Sequence, residues 1–263
     1  MTEQTSNRKE WYYLLDGFRG FALLNMLLFH FYYDVYIIFG QEPGWYYRPV
    51  IKAWQQFICI SFLFISGISW HFSRNNLKRG ILLNLYGLLI TGVTYVFVPS
   101  QTVWFGILNC IGCTTLLMIP LHKLFGCIPS RWKMVSSVLG FGGAVLLFVF
   151  TRGITDGELG MGSIILSLPQ MLYRFRPMTI LGFPYEGFRS SDYFPVLPWF
   201  FLFLAGYWFW EVVSRKDRVL RVFRVKVPIL SQLGQKTIWV YLLHQPLLYA
   251  AAYLLVRVVG VEL

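Results

Sequence analysis

The chain has 263 residues, of which 56% are hydrophobic, 19% aromatic and only 13% charged, and its mean hydropathy is +0.55. A globule in water needs more polar surface than this, so the composition excludes a soluble domain and defines an integral membrane protein. The formal net charge of +11 does not require a nucleic-acid partner, because Lys and Arg at membrane edges set topology and meet anionic lipid headgroups.

In chain order, runs of about twenty apolar residues predict spans near 14–39, 51–72, 80–98, 103–121, 134–151, 194–213 and 235–258. The expected fold is an all-α polytopic membrane protein, a bundle of about 7–8 transmembrane helices in a single integral membrane domain, 1–263. The N-terminal MTEQTSNRKE is polar and of mixed charge. The first apolar stretch is long enough to span, so it is expected to remain as a helix and not to be cleaved as a signal peptide. A shorter run, 161–172, is expected to form a re-entrant or interfacial helix.

The basic residues predict orientation. With a cytoplasmic N-terminus, the inner side collects Arg8, Lys9, Arg74, Lys78, Arg79, Lys123, Arg131, Lys133, Arg215, Lys216, Arg218, Arg221, Arg224, Lys226 and Lys236. The outer side holds Arg48, Lys52, Arg152, Arg174, Arg176, Arg189 and Arg257. The positive-inside rule favours that orientation, and it requires 152–193 to begin and end on the outer face.

The first span carries the densest chemistry. Arg19 and His30 lie eleven residues apart in the apolar stretch Phe18 to Phe39. Eleven helical steps return to within roughly 20° of the starting azimuth and cover about 16 Å of axis. An Arg and a His therefore line one stripe, about half a bilayer apart. Asp34 follows His30 by one turn, where its carboxylate could orient the imidazole and leave the other ring nitrogen as a base. Ionisable groups at this depth are costly and tend to face a cavity and carry function. The competing reading makes His30 a packing residue, Arg19 a snorkelling one and Asp34 an interfacial one.

Further along, His71 is expected at the inner interface and His122 in a solvated inner loop. Cys59, Cys110, Cys113 and Cys127 lie in or beside spans without a completing His or Cys cluster, so a structural role is expected and no metal. The outer segment 173–199 combines Arg174, Arg176, Glu186, Arg189, Ser190, Ser191 and Asp192 with aromatics, Trp199 among them. Such a mixture suits a sugar-like ligand and equally suits a rigid external loop. In the last span, YLLHQP places Pro246 two residues after His244, which predicts a kink and a freed carbonyl.

The R-x10-H spacing of Arg19 and His30 is similar to that of the membrane acyltransferase-3 proteins. The whole chain resembles more closely the compact bacterial relatives of the heparan-α-glucosaminide N-acetyltransferase catalytic domain. The segments that carry this are LDGFRGFALLNMLLFHFYYD at 15–34, FLFISGIS at 62–69, WFGILNCIG at 104–112, SSDYFPVLPWFFLFLAG at 190–206 and YLLHQP at 241–246.

The resemblance implies a multi-pass protein of the bacterial cytoplasmic membrane that moves an acetyl group from cytoplasmic acetyl-CoA to an amine or hydroxyl of an extracytoplasmic, sugar-like acceptor. Catalytic candidates are His30, Asp34, Asn109 and His244. Arg19, Arg74, Lys78 and Arg79 are candidates for the anionic donor, and Arg189, Asp192 and Trp199 for the acceptor. The family commonly has His where this chain has Asn109, and Asn cannot act as a base near neutral pH, so proton handling falls to His30. His30 could serve as general base or become acetylated itself, and Asn25, Asn109 or His244 could donate to the thioester oxygen. A proton-coupled carrier would use the same His–Asp pair and Pro-interrupted helix, and CoA binding discriminates the two. A homo-oligomer is compatible with the exposed aromatic spans, which lipid would cover equally well.

Overall fold

The computed structural model describes residues 11–40 and 44–258; Arg8 and Lys9 lie outside the described residues. Among these, seven helical segments are long and apolar enough to cross a membrane: Tyr13–Ile38, Pro49–Phe72, Asn76–Phe97, Ile107–Gly126, Ser130–Asp156, Val196–Val213 and Thr237–Val258. Every predicted span is thus present, with ends displaced by a few residues. The α-helices proper are α1 (Tyr13–Tyr33), α2 (Pro49–Ser69), α3 (Asn76–Phe97), α4 (Ile107–Gly126), α5 (Lys133–Phe150), α6 (Val196–Val213), the short α7 (Asp217–Phe223) and α8 (Pro228–Gln235), and α9 (Thr237–Tyr253).

The run 161–172 departs from expectation. In place of a helix, the chain makes an antiparallel hairpin of β1 (Glu158–Met161) and β2 (Ile164–Ser167), with Glu158 opposite Ser167 and Met161 opposite Ile164. Gln170–Tyr173 follows as a single 3-10 turn. Glycines prevent the helix: Gly157 and Gly162 hold φ of +87° and +63°, values that other residues seldom adopt. Gly162 opens a two-residue hairpin loop, the Gly-first arrangement of type II′ turns.

The chain divides into two compact units, Met1–Ile58 with Val213–Leu263, and Cys59–Val212, the cuts falling within α2 and at the end of α6. In the first unit α8 packs against the beginning of α1 through reciprocal glycines. A Cβ on Gly20 would lie 1.9 Å from the Leu230 carbonyl oxygen, and one on Gly234 would lie 1.9 Å from that of Asp16. Small residues let backbones approach this closely, and dispersion across such crossings drives helix association in lipid. α9 runs alongside α1, so that His30 meets His244 and Phe39 meets Tyr249.

The second unit contains an equivalent crossing of α2 and α6, where Gly67 faces the Phe203 carbonyl and Gly206 that of Phe64. Its core gathers Trp70, Met118, Phe203, Tyr207 and Trp208, with the Trp70 indole donating to the Thr115 carbonyl at 3.2 Å. Hydroxyls on these helices bond to carbonyls a turn earlier, as Thr115 does to Ile111 at 2.6 Å and Ser137 to Lys133 at 2.6 Å. This local bonding lets a hydroxyl sit in an apolar environment.

Candidate active site

The first unit brings four polar side chains of the first and last spans, Tyr13–Ile38 and Thr237–Val258, together at membrane depth. The rings of His30 and His244 meet edge to face, centroids 4.9 Å apart and planes inclined by 67°. Asp34, fully buried, opens the π-helical turn Asp34–Ile38 that extends α1. Its Oδ1 accepts a hydrogen bond from Gln245 Nε2 at 2.9 Å. Such π turns recur at functional sites, where the widened backbone re-aims a side chain.

The expected pairing of Asp34 with His30 is therefore replaced. Gln245 presents an amide donor from the neighbouring helix, while the His30 ring stacks against His244. His244 shows which nitrogen is available: its Nδ1 meets the Tyr241 carbonyl, which can only accept. Nδ1 thus carries the hydrogen, and in the neutral ring Nε2 carries the lone pair. That Nε2, together with Asp34 Oδ2 and Gln245 Oε1, is buried without a hydrogen-bond partner. Buried polar atoms are seldom left so in native proteins. Nε2 and Oε1 are acceptors, and so is Oδ2 when the carboxyl is ionised, so the cluster fits a ligand or water that donates hydrogen bonds. The α9 helix continues through Pro246, whose missing N–H leaves the Leu242 carbonyl without its usual helical donor.

Arg19 is held elsewhere in this unit. Its guanidinium pairs with Asp16 at 2.7 Å, and the buried Asp16 carboxylate also accepts from the Trp11 indole at 2.8 Å and Gln235 Nε2 at 3.3 Å. Asp16 and Gln235 escaped the sequence reading. The i, i+3 spacing of Asp16 to Arg19 was the signal for the first; nothing local marks the second. Asn25 receives the Trp54 indole at 3.0 Å and donates to the Phe21 carbonyl at 2.9 Å.

The second unit holds the remaining candidates, mostly in structural bonds. Asn109 donates to the backbone carbonyl of Asn84 at 3.3 Å, at the tight α3–α4 contact where Gly87 leaves room for the amide. Ser190, Ser191 and Asp192 fasten to the loop before α4. Ser190 Oγ accepts from the Trp104 N–H at 2.9 Å, Ser191 Oγ donates to the Gln101 carbonyl at 2.7 Å, and the Asp192 carboxylate accepts from the Ile107 N–H at the start of α4. Burial pushes the Asp192 carboxyl up to about 6, partly opposed by that N–H.

Trp199, the aromatic candidate for the acceptor, is buried between Phe148 and Phe194, with ring centroids 5.6 and 5.1 Å away. Arg189, Arg74 and Lys78 are exposed, and Arg79 is half-buried. His71 is more engaged than expected: Nε2 meets the Tyr207 carbonyl at 3.2 Å and Nδ1 lies 3.7 Å from Glu211. His122, expected to be solvated, is exposed but bonds the Tyr207 hydroxyl at 2.8 Å.

Seven apolar helices among the described residues and a histidine pair in ring contact, one of them buried, define a multi-pass membrane protein with an intramembrane polar site. The family model for the heparan-alpha-glucosaminide N-acetyltransferase catalytic domain matches residues 12–246, and the chain belongs to that family. Membership assigns an acetyltransferase-like function exercised in a membrane, and it favours transfer over transport. No curated protein and no solved structure matches the chain significantly.

Proposed function

We propose that the protein transfers an acetyl group from cytoplasmic acetyl-CoA to an amine or hydroxyl of a sugar-like acceptor on the far side of the membrane, and that the N-terminus is cytoplasmic. The supporting observation is the grouping of His30, His244, Asp34 and Gln245, with three buried polar atoms unpartnered in one place. His244 Nε2 or His30 takes the acceptor's proton as its nitrogen or oxygen attacks the thioester carbonyl. The C–S bond then breaks and the departing thiolate is reprotonated to CoA. Asp34 and Gln245 hold the acceptor through hydrogen bonds it donates.

Arg74, Lys78 and Arg79 supply positive charge for the donor's phosphates. Arg19 acts through Asp16 to fix the beginning of α1 rather than meeting the donor. Arg189, exposed in the outer segment, remains the candidate contact for the acceptor there.

The test is acetyl transfer by the purified protein in nanodiscs, with binding of acetyl-CoA measured in parallel. Turnover by the wild type, and binding without turnover by His30→Asn, is the expected result. A wild type with no affinity for CoA would overturn the proposal.

A further inference from the structure

We infer that the β1–β2 hairpin is a membrane-interface anchor, seated among the headgroups and upper acyl chains of the leaflet at which the fifth span ends. Strand residues alternate between faces, yet β2 is exposed along its whole length: Ile164 is 68%, Ile165 56% and Leu166 58% accessible. Ile164 and Leu166 point to one side and Ile165 to the other, so neither face of β2 is covered by this chain, while Leu159 and Gly160 on β1 are half-covered where that strand lies beside α5. In water such a hairpin would be both unstable alone and prone to aggregate.

Three properties favour lipid over a second copy of the chain. A partner molecule would cover one face, whereas the interface surrounds both. The hairpin is also continuous with the membrane boundary: the fifth span ends at Asp156 and β1 begins at Glu158, joined through Gly157 in the left-handed conformation. The base is closed by the Leu168 N–H on the Gly157 carbonyl at 2.8 Å, which ties the hairpin to that span's end. Finally, exposed Arg174 and Arg176 follow beside exposed Phe175, the mixture of cation and aromatic that suits phosphate headgroups. Depth is limited by the two outer strand edges. Their backbone groups lack strand partners and need headgroups or water, so the hairpin stops short of the hydrocarbon centre.

The experiment uses the full chain in nanodiscs with Cys127→Ser, carrying a nitroxide at Ile165→Cys, at Leu166→Cys or, as an aqueous reference, at Glu186→Cys. Collision rates with oxygen and with a water-soluble nickel chelate are compared. The anchor requires a several-fold rise in the oxygen-to-nickel ratio over the Glu186 site at both hairpin positions, since both faces meet lipid. Ratios equal to the reference at both positions would overturn it. So would protection from both colliders at one position together with cysteine cross-linking between copies, which would make the hairpin a self-association surface. A monodisperse elution profile and a helical circular-dichroism spectrum matching the unlabelled protein show that each labelled protein is folded. The lipid contact is read from collisions alone, so it stands or falls independently of the catalytic reading.

Discussion

The two units differ in where they leave buried polar atoms without partners. In Cys59–Val212, Asn109 is bonded to Asn84, Ser190 to Trp104, His71 to Tyr207, and threonines to carbonyls one turn back. Its two buried atoms without partners, Asn76 Oδ1 and Thr179 Oγ1, lie in different elements. In the unit that contains α1 and α9, the unpartnered atoms belong to Asp34, His244 and the adjacent Gln245, around a single hydrogen bond and beside a second histidine. Satisfied groups are a means of packing helices in lipid. Unsatisfied acceptors that converge fit a ligand or water that donates hydrogen bonds.

The largest expected effect tests that distinction directly. His30→Asn and His244→Asn should each lower acetyl transfer by about 10²–10⁴, the usual contribution of a general acid or base, with donor affinity unchanged. The double variant should fall little below the worse single one if the rings act as a unit. Single-turnover kinetics with binding measured separately checks this. Two small, additive losses would remove the histidine pair from the chemistry.

Gln245→Leu should cost about 1–3 kcal/mol in stability, because it leaves the fully buried Asp34 without its donor. Turnover should fall as well, since the lost Oε1 is one of the atoms offered to the acceptor. Thermal unfolding and acceptor KM separate the two effects. Full activity after loss of stability would make the Asp34–Gln245 bond a packing device like those of the second unit.

The converse substitution is Asn109→Ala. Hydrogen bonds between helices in lipid average about 0.6 kcal/mol, so the expected result is a small fall in unfolding temperature with turnover per folded molecule within a factor of about three. A collapse of kcat with unchanged stability would place Asn109 in the reaction and break the contrast between the units.

How much of this was legible beforehand follows from the physics of each feature. The spans were readable because a twenty-residue apolar run has few alternatives in lipid. Arg19, His30 and Asp34 were singled out as expensive groups at that depth, and His244 by the proline two residues after it. Their pairing was not readable, because it depends on the register of α1 against α9, fixed by packing between residues over two hundred positions apart. Asp34 consequently found Gln245, and Arg19 found Asp16, one helical turn before it. The hairpin was misread because a short apolar run fits a helix and a strand alike, and the three glycines within 157–162 were the signal that should have decided it. Trp199 illustrates the same limit: its packing between Phe148 and Phe194 depends on contacts that the polar-rich segment 173–199 does not reveal.

The smallest effect concerns Asp192, at the start of α4. Its carboxyl titrates at about 6 in the folded protein against 3.8 ordinarily, so folding favours the protonated form. The stabilisation is complete below about pH 4 and is lost as pH rises through 6, on the order of 1–3 kcal/mol across that range. Asp192→Asn can still accept from the Ile107 N–H and carries no charge, so it should cancel this particular loss. Unfolding midpoints at pH 4.5 and 7.5 would then differ less for the variant than for the wild type, with the variant the more stable at the higher pH. If the two proteins lose stability in parallel, the Asp192 carboxylate is solvated in the folded state. It would then be open to a ligand at the Ser190–Asp192 end, and the second unit would hold a polar site of its own.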